Sequence, residues 1–230
     1  MKNLASHSRN FVALSLLGLL STTMLLAQDK FPQTTDDGLE RMEAKKVDVL
    51  YWREGATLSD YHRIALLDAY VSFRKNWDRD QNRNRPSISN RVTDKDMERI
   101  KKDLAEEFRK VFTKELAEKG GYELTDEAAS DVLVLRPAII NLDVTAPDLN
   151  SASRVENYIT SAGQMTLYLE LYDAATGDII ARVIDVRNDQ DFARAQRANG
   201  VTNRAAADRI LRSWADALRE ALDDAHAMEN

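Results

Sequence analysis

Between Thr93 and Gly121, Met97, Ile100, Leu104, Phe108, Val111 and Phe112 recur every three or four residues. That spacing predicts a long amphipathic helix. Thr93 followed by Asp96 resembles a capping box, with Asp94 and Asp96 where the helix dipole favours negative charge. Glu106 with Lys110 and Glu115 with Lys119 are favourable i,i+4 pairs, and Gly120-Gly121 supplies the stop. A second helical stripe (Ala207, Ile210, Leu211, Trp214, Leu218, Leu222) predicts a closing helix from about Asn203, a good N-cap, to near Ala225. Asp223 and Asp224 have the wrong sign for a helix C-terminus, so fraying is expected there.

Elsewhere the period is two. Val47 to Trp52 reads as a short strand. Ile64 to Phe73 reads as a second, with Ala65, Leu67, Ala69 and Val71 on one face. Asp131 to Val144 is a third, bent or bulged at Pro137, which lacks the N–H a central ladder needs. Gln164 to Tyr172 places Met165, Leu167, Leu169 and Leu171 toward the core and Thr166, Tyr168 and Glu170 away from it. The turn Asp173–Asp178 then returns the chain into Ile179–Val186. The order β-β-α-β-β-β-α predicts an α+β fold: a mostly antiparallel sheet of about five strands, with two long amphipathic helices on one face.

The N-terminus follows neither period. Lys2 and Arg9 precede the apolar stretch Phe11–Leu20, and Met24–Ala27 leads to a small residue before Gln28. This is the layout of a signal peptide over residues 1–27, cut after Ala27 with Leu25 at the minus-three position. The rival reading, an uncleaved anchor, has only 17 residues and four hydroxylic side chains within it. Residues 28–45 are polar, contain Pro32 and Gly38, and read as a flexible leader to a single domain over 46–228.

Composition narrows the picture. Export would place the chain in the periplasm, where disulfides are permitted, yet the sequence has no cysteine. Stability must come from an ordinary core, and thiolate ligands, a cysteine nucleophile and N-terminal lipidation on cysteine are excluded. The net charge of −6 becomes −8 once Lys2 and Arg9 are removed, which disfavours nucleic acid as a partner.

Three long connections remain: 74–92, 145–162 and 187–202. In the first, Asp78, Asp80, Asn82 and Asn84 alternate like the start of a calcium loop. Arg83 stands where glycine is needed and Ser89 where a bidentate glutamate is needed, so no metal is expected. Arg79, Arg83 and Arg85, with Arg74, Lys75 and Arg91, instead form a basic cluster suited to lipid headgroups, wall polymer or an acidic partner. Interleaved Asp and Asn also allow a solvated, self-neutralising loop. The third connection repeats the theme with Arg187, Arg194 and Arg197. Trp77 is the tryptophan expected to be exposed, whereas Trp214 and Trp52 fit packing roles. The candidate interaction surface is therefore Trp77, Arg79, Arg83, Arg85, Arg194 and Arg197. His62 has no G-x-S-x-G partner, so no catalytic residue and no cofactor is expected.

The stretch Val47–Phe73, with its Gly55–Tyr61 turn (GATLSDY), and the hairpin Tyr172–Asp178 (YDAATGD) resemble domain of unknown function 3313, a family of lipoprotein-like bacterial envelope proteins. The resemblance spans about residues 35–225. It implies an envelope location and an α+β domain, and brings no catalytic residues. The absence of a cysteine after the apolar leader departs from the lipoprotein pattern, so membrane association is expected only through an uncleaved leader or a partner. Together these readings predict a non-enzymatic accessory protein that binds an envelope protein or wall component. A hydrolase of an envelope polymer and a small apolar-ligand carrier are the alternatives.

Overall fold

The structure is a computed structural model that describes residues 31–83, 85, 87–144, 158–159, 163–188, 196–197 and 200–229. The chain separates into two compact units, 1–31 and 32–230. Only the second is described below, and the proposed signal peptide lies outside the described residues.

In chain order the elements are β1 (Glu40–Met42), β2 (Val49–Trp52), β3 (Arg63–Leu66), β4 (Tyr70–Phe73), α1 (Trp77–Asn82) and α2 (Asp94–Thr113). They continue as β5 (Glu123–Leu124), β6 (Val132–Asp143), β7 (Tyr158–Ile159), β8 (Gln164–Asp173), β9 (Ile179–Asn188), β10 (Gln196–Arg197) and α3 (Gly200–Glu229). The fold is α+β. Eight strands form one sheet, ordered β1-β2-β9-β8-β6-β3-β5, with β4 also pairing β6; β7 and β10 form a separate antiparallel pair.

The expected mostly antiparallel five-stranded sheet is corrected to a mixed sheet of eight strands. β8 lies antiparallel between β6 and β9, as the hairpin requires. β3 and β4, however, run parallel to β6. The cause is α2: a helical crossover carries the chain back to the end where it began, so the following strand pairs parallel. The run 64–73 is also not one strand. The Leu135 carbonyl accepts from the Leu67 N–H at 3.0 Å, so Pro137, two residues on, faces the same neighbour. Proline offers no donor there, and β3 gives way to β4 at that point, while pairing with β8 runs unbroken through Pro137↔Leu169. Leu67, read as sharing one strand face with Ala65, Ala69 and Val71, sits in the break and is 44% exposed.

One face of the sheet carries the main core. Leu133, Leu135, Ile139, Met165, Leu167, Leu169 and Leu171 pack under Leu104, Phe108 and Phe112 of α2 and Leu211, Trp214 and Leu218 of α3. Phe108 and Phe112 stack with ring centroids 3.9 Å apart. Each such fully buried side chain contributes roughly 1.5–3 kcal/mol. Thr93 does form the capping box, with its hydroxyl accepting from Asp96 N–H while the Asp96 carboxylate accepts from Thr93 N–H. Lys119 pairs with Glu115 at 2.6 Å, but Lys110 pairs with Glu107 rather than Glu106. After Thr113 the helix widens to a π-turn over Lys114–Lys119.

Other expectations are corrected by packing. The polar face of β8 is not solvated: Thr166 and Glu170 are buried. α3 begins at Gly200, before Asn203, and runs on to Glu229 instead of fraying. Asp223 therefore lies more than a turn before the helix end, and it accepts from Tyr122 Oη (2.9 Å) and Arg219 Nη1 (2.7 Å).

The domain also starts earlier than residue 46. Within the segment read as a flexible leader, β1 pairs with β2 and Leu39 is fully buried. Tyr51 Oη donates to the Pro32 carbonyl (2.8 Å), and Arg182 Nη1 reaches Asp37 Oδ1 at 3.2 Å. The hydrogen bond from Arg182, and then that from Thr35, draws the Asp37 carboxyl down to about 2. A lowered folded-state value means the tie is at full strength above about pH 4 and is lost as pH falls toward 2. The amide resonances of Thr35 and Leu39 should therefore titrate with a midpoint near 2; a midpoint near 4 would show that Arg182 does not hold this carboxylate.

Candidate functional site

The basic connection after β4 is a built excursion rather than a loose loop. Asn76 takes a left-handed backbone turn (φ 61°), a conformation asparagine tolerates, and α1 follows at once. Trp77 then turns inward. It is fully buried, stacks on Phe73 at 4.0 Å, and donates its indole N–H to the Val144 carbonyl at 2.7 Å. With Val92, and with Phe73, Met97, Ile100 and Val144 around them, it forms a second small core. This corrects the expectation that Trp77 is an exposed stacking surface: its apolar bulk anchors the excursion.

Beyond α1 the chain is clasped at its neck. Asn82 Nδ2 donates to the Val92 carbonyl (3.0 Å), and Val92 N–H donates to Asn82 Oδ1 (2.7 Å). Asn82 and Val92 thus bracket the described residues 83, 85 and 87–91. A short 3₁₀ turn, Ile88–Asn90, lies within them, and Arg85 Nη1 donates to the Asn90 carbonyl at 2.9 Å. Arg91 N–H donates to the Ile88 carbonyl at 3.2 Å. α2 begins directly after the clasp, so both ends of the excursion are fixed.

Charge is unevenly spent here. Over residues 74–92, six basic residues face two acidic ones, a net of +4 on a chain whose net charge is −6. Arg74 is used structurally, pairing with Asp80 and Asp143 at 2.7 Å each. The Arg74 hydrogen bond holds the Asp80 carboxyl below its usual range. Arg83 also reaches Asp80, at 3.2 Å, yet its side chain stays 70% exposed. Lys75, Arg79 and Arg91 are exposed. Ile88 is 81% exposed in the same excursion. Such a surface can hold anions.

Of the six residues expected to form one surface, the described ones take different places. Arg79 and Arg83 are exposed on the excursion, Arg85 braces it, and Trp77 lies beneath it. Arg194 lies outside the described residues. Arg197 contributes backbone pairing to Tyr158 in the β7–β10 pair, and its side chain also lies outside the description. Sequence reasoning missed Ile88, although an isolated aliphatic residue inside an arginine-rich polar run was a visible signal.

The charged cluster around Glu170 is closed. Glu170, 3% exposed, accepts from Arg182 Nε (3.0 Å), Tyr172 Oη (2.9 Å), Tyr168 Oη (3.3 Å) and Arg136. Burial pushes its carboxyl up, but the hydrogen bonds from Arg182, Tyr172 and Arg136 outweigh that and hold it low. The two motifs behind the family resemblance meet in a similar tie: Tyr61 Oη donates to Asp173 Oδ2 at 3.1 Å. Asp173 also accepts from the Ala175 and Thr176 N–H groups, which fixes the hairpin. His62 is exposed and stacks on His226 at 4.9 Å. An open groove of about 290 Å³ beside α3 is lined by Lys46, Arg187, Asp216 and Glu220 among others, with Lys46 paired to Glu220. Among the described residues, no three His, Asp or Glu side chains gather as a metal site would require, and no helix is long and apolar enough to cross a membrane.

Among solved structures, the chain is similar to the PelC dodecamer from Paraburkholderia phytofirmans, at 11% identity and a TM-score of 0.34, covering 71% of this chain and 95% of that one. A single-substitution variant of the same protein gives 11% identity and a TM-score of 0.33, covering 71% and 94%. No curated protein matches the sequence. A family model described as a protein of unknown function (DUF3313) matches residues 29–218, most of the chain. Those residues include every strand of the main sheet, α1, α2 and the greater part of α3, so the chain belongs to the DUF3313 family.

Proposed function

We propose that this protein is an exported, non-catalytic accessory protein of the bacterial cell envelope that binds an anionic envelope component through the 74–92 excursion. The observation that carries the reading is an asymmetry of charge. Glu170, Asp173 and Asp185 are committed to internal partners, whereas Lys75, Arg79, Arg83 and Arg91 extend exposed from a rigidly footed excursion. Cations held in one place on an otherwise acidic chain favour one orientation toward a polyanion. The layout of residues 1–27 supports export, and the basic excursion supports an anionic partner within the envelope.

A photo-crosslinker at Lys75 in growing cells tests this. The wild-type background should give adducts in the envelope fraction. Reversing Arg79, Arg83 and Arg91 to glutamate should lower the yield about tenfold or more. The same variant should unfold within a few degrees of wild type, since exposed pairs contribute only about 0–1 kcal/mol. Equal adduct yield with the reversed charges, or the unprocessed chain in the cytosol, would overturn the proposal.

A further inference from the structure

Resting on that reading, we infer that the anionic component is a lipid surface, and that Ile88 is the apolar residue the excursion inserts into it. A soluble acidic polymer explains the arginines but not the tip. Ile88 is 81% exposed, and a polyanion offers an isoleucine nothing in exchange for its hydration. An anionic membrane interface satisfies both features at once: headgroups take the cations, and the acyl boundary takes the aliphatic side chain.

The geometry suits this use. Ile88 stands three residues from Arg85 and three from Arg91, and it opens the Ile88–Asn90 turn, whose ends accept from Arg91 N–H and Arg85 Nη1. The Asn82–Val92 clasp closes the excursion behind them. Trp77 fixes its base to the end of β6, so the tip is presented without a further ordering cost. Asp78 is exposed within the excursion, yet with Asp78 and Asp80 both counted residues 74–92 keep a net charge of +4. Asp80 is taken by Arg74 and Arg83, and Asp96 is taken by the capping box and Arg99.

The absence of cysteine supplies a clean test. An Ile88→Cys variant of the protein purified from cells after export can be labelled at that position alone with an environment-sensitive fluorophore. Ala175→Cys, in the exposed hairpin at the opposite end of β8, gives the control. On vesicles of equal phosphatidylglycerol and phosphatidylcholine, the label at 88 should shift to the blue and the label at 175 should not. Neither should respond to pure phosphatidylcholine. Reversing Arg79, Arg83 and Arg91 should weaken vesicle binding by at least about a hundredfold, each lost cation near an anionic surface counting for roughly a factor of five and each added carboxylate increasing the loss. Ile88→Asp should lose vesicle binding yet keep binding to soluble polyphosphate. A label at 88 that stays in water on bound vesicles, or an Ile88→Asp variant that binds them as wild type does, overturns the lipid inference. If polyphosphate binding still depends on the arginines in that case, the broader reading stands. If reversing the arginines changes neither vesicle nor polyphosphate binding, both fall.

Discussion

Replacing Trp77 by alanine is expected to cost about 3–5 kcal/mol, the range for deleting a large aromatic side chain from a packed site. The change leaves a cavity beneath Phe73, Met97 and Ile100 and strips the Val144 carbonyl of its indole donor. For a domain of this size the melting temperature should drop by roughly 10 °C. Trp77→Phe keeps most of the packing and loses only the hydrogen bond, so it should cost about 1 kcal/mol. Hydrogen exchange separates a local from a global effect: in the alanine variant the largest gain in exchange is expected over residues 74–92 and at 143–144. Wild-type protection in those segments would mean that Trp77 does not anchor the excursion, and the account of its rigidity would fail.

A second large loss is expected from Asp185→Ala. The carboxylate is 1% exposed and ties three elements together. It accepts from Trp214 Nε1 of α3 (2.7 Å), from Asp48 N–H beside β2 (2.9 Å) and from Arg187 of its own strand (2.5 Å). Asp48 returns the favour through Oδ2, which accepts from Val186 N–H at 2.8 Å. Removing the carboxylate leaves buried donors without an acceptor and an arginine without its counter-charge, a loss of about 3–5 kcal/mol. Adding Trp214→Phe should recover part of it, because one orphaned donor then disappears. Chemical denaturation of the single and double variants measures the coupling. Strictly additive losses would mean that the indole and the carboxylate do not act together.

Asp185 also shows where sequence reading stops. Its alternation places it opposite Leu167 on the helix-facing side of β9, where an acidic residue looks misplaced. Only the approach of Trp214 from α3, 29 residues away, explains it. Trp77 was misread for the opposite reason. It lies in a polar, arginine-rich segment whose composition signals exposure, and nothing local reveals that the end of β6 provides a carbonyl and an apolar floor. Glu170 was assigned to solvent by period-two logic. It is buried because Arg136, Arg182, Tyr168 and Tyr172 converge over it from three adjacent strands.

What the chain determines locally it determines well. The Thr93–Asp96 cap, the apolar stripe of α2 and the Asp173–Asp178 hairpin depend on residues within a few positions of one another, so their chemistry is written in the sequence. The basic character of residues 74–92 is local in the same sense. Strand direction, the break at Pro137, the burial of Leu39 and the placing of Trp77 depend on which distant segment arrives alongside. Tertiary packing decides those, because desolvation and hydrogen-bond satisfaction are properties of the neighbours a residue acquires rather than of the residue itself.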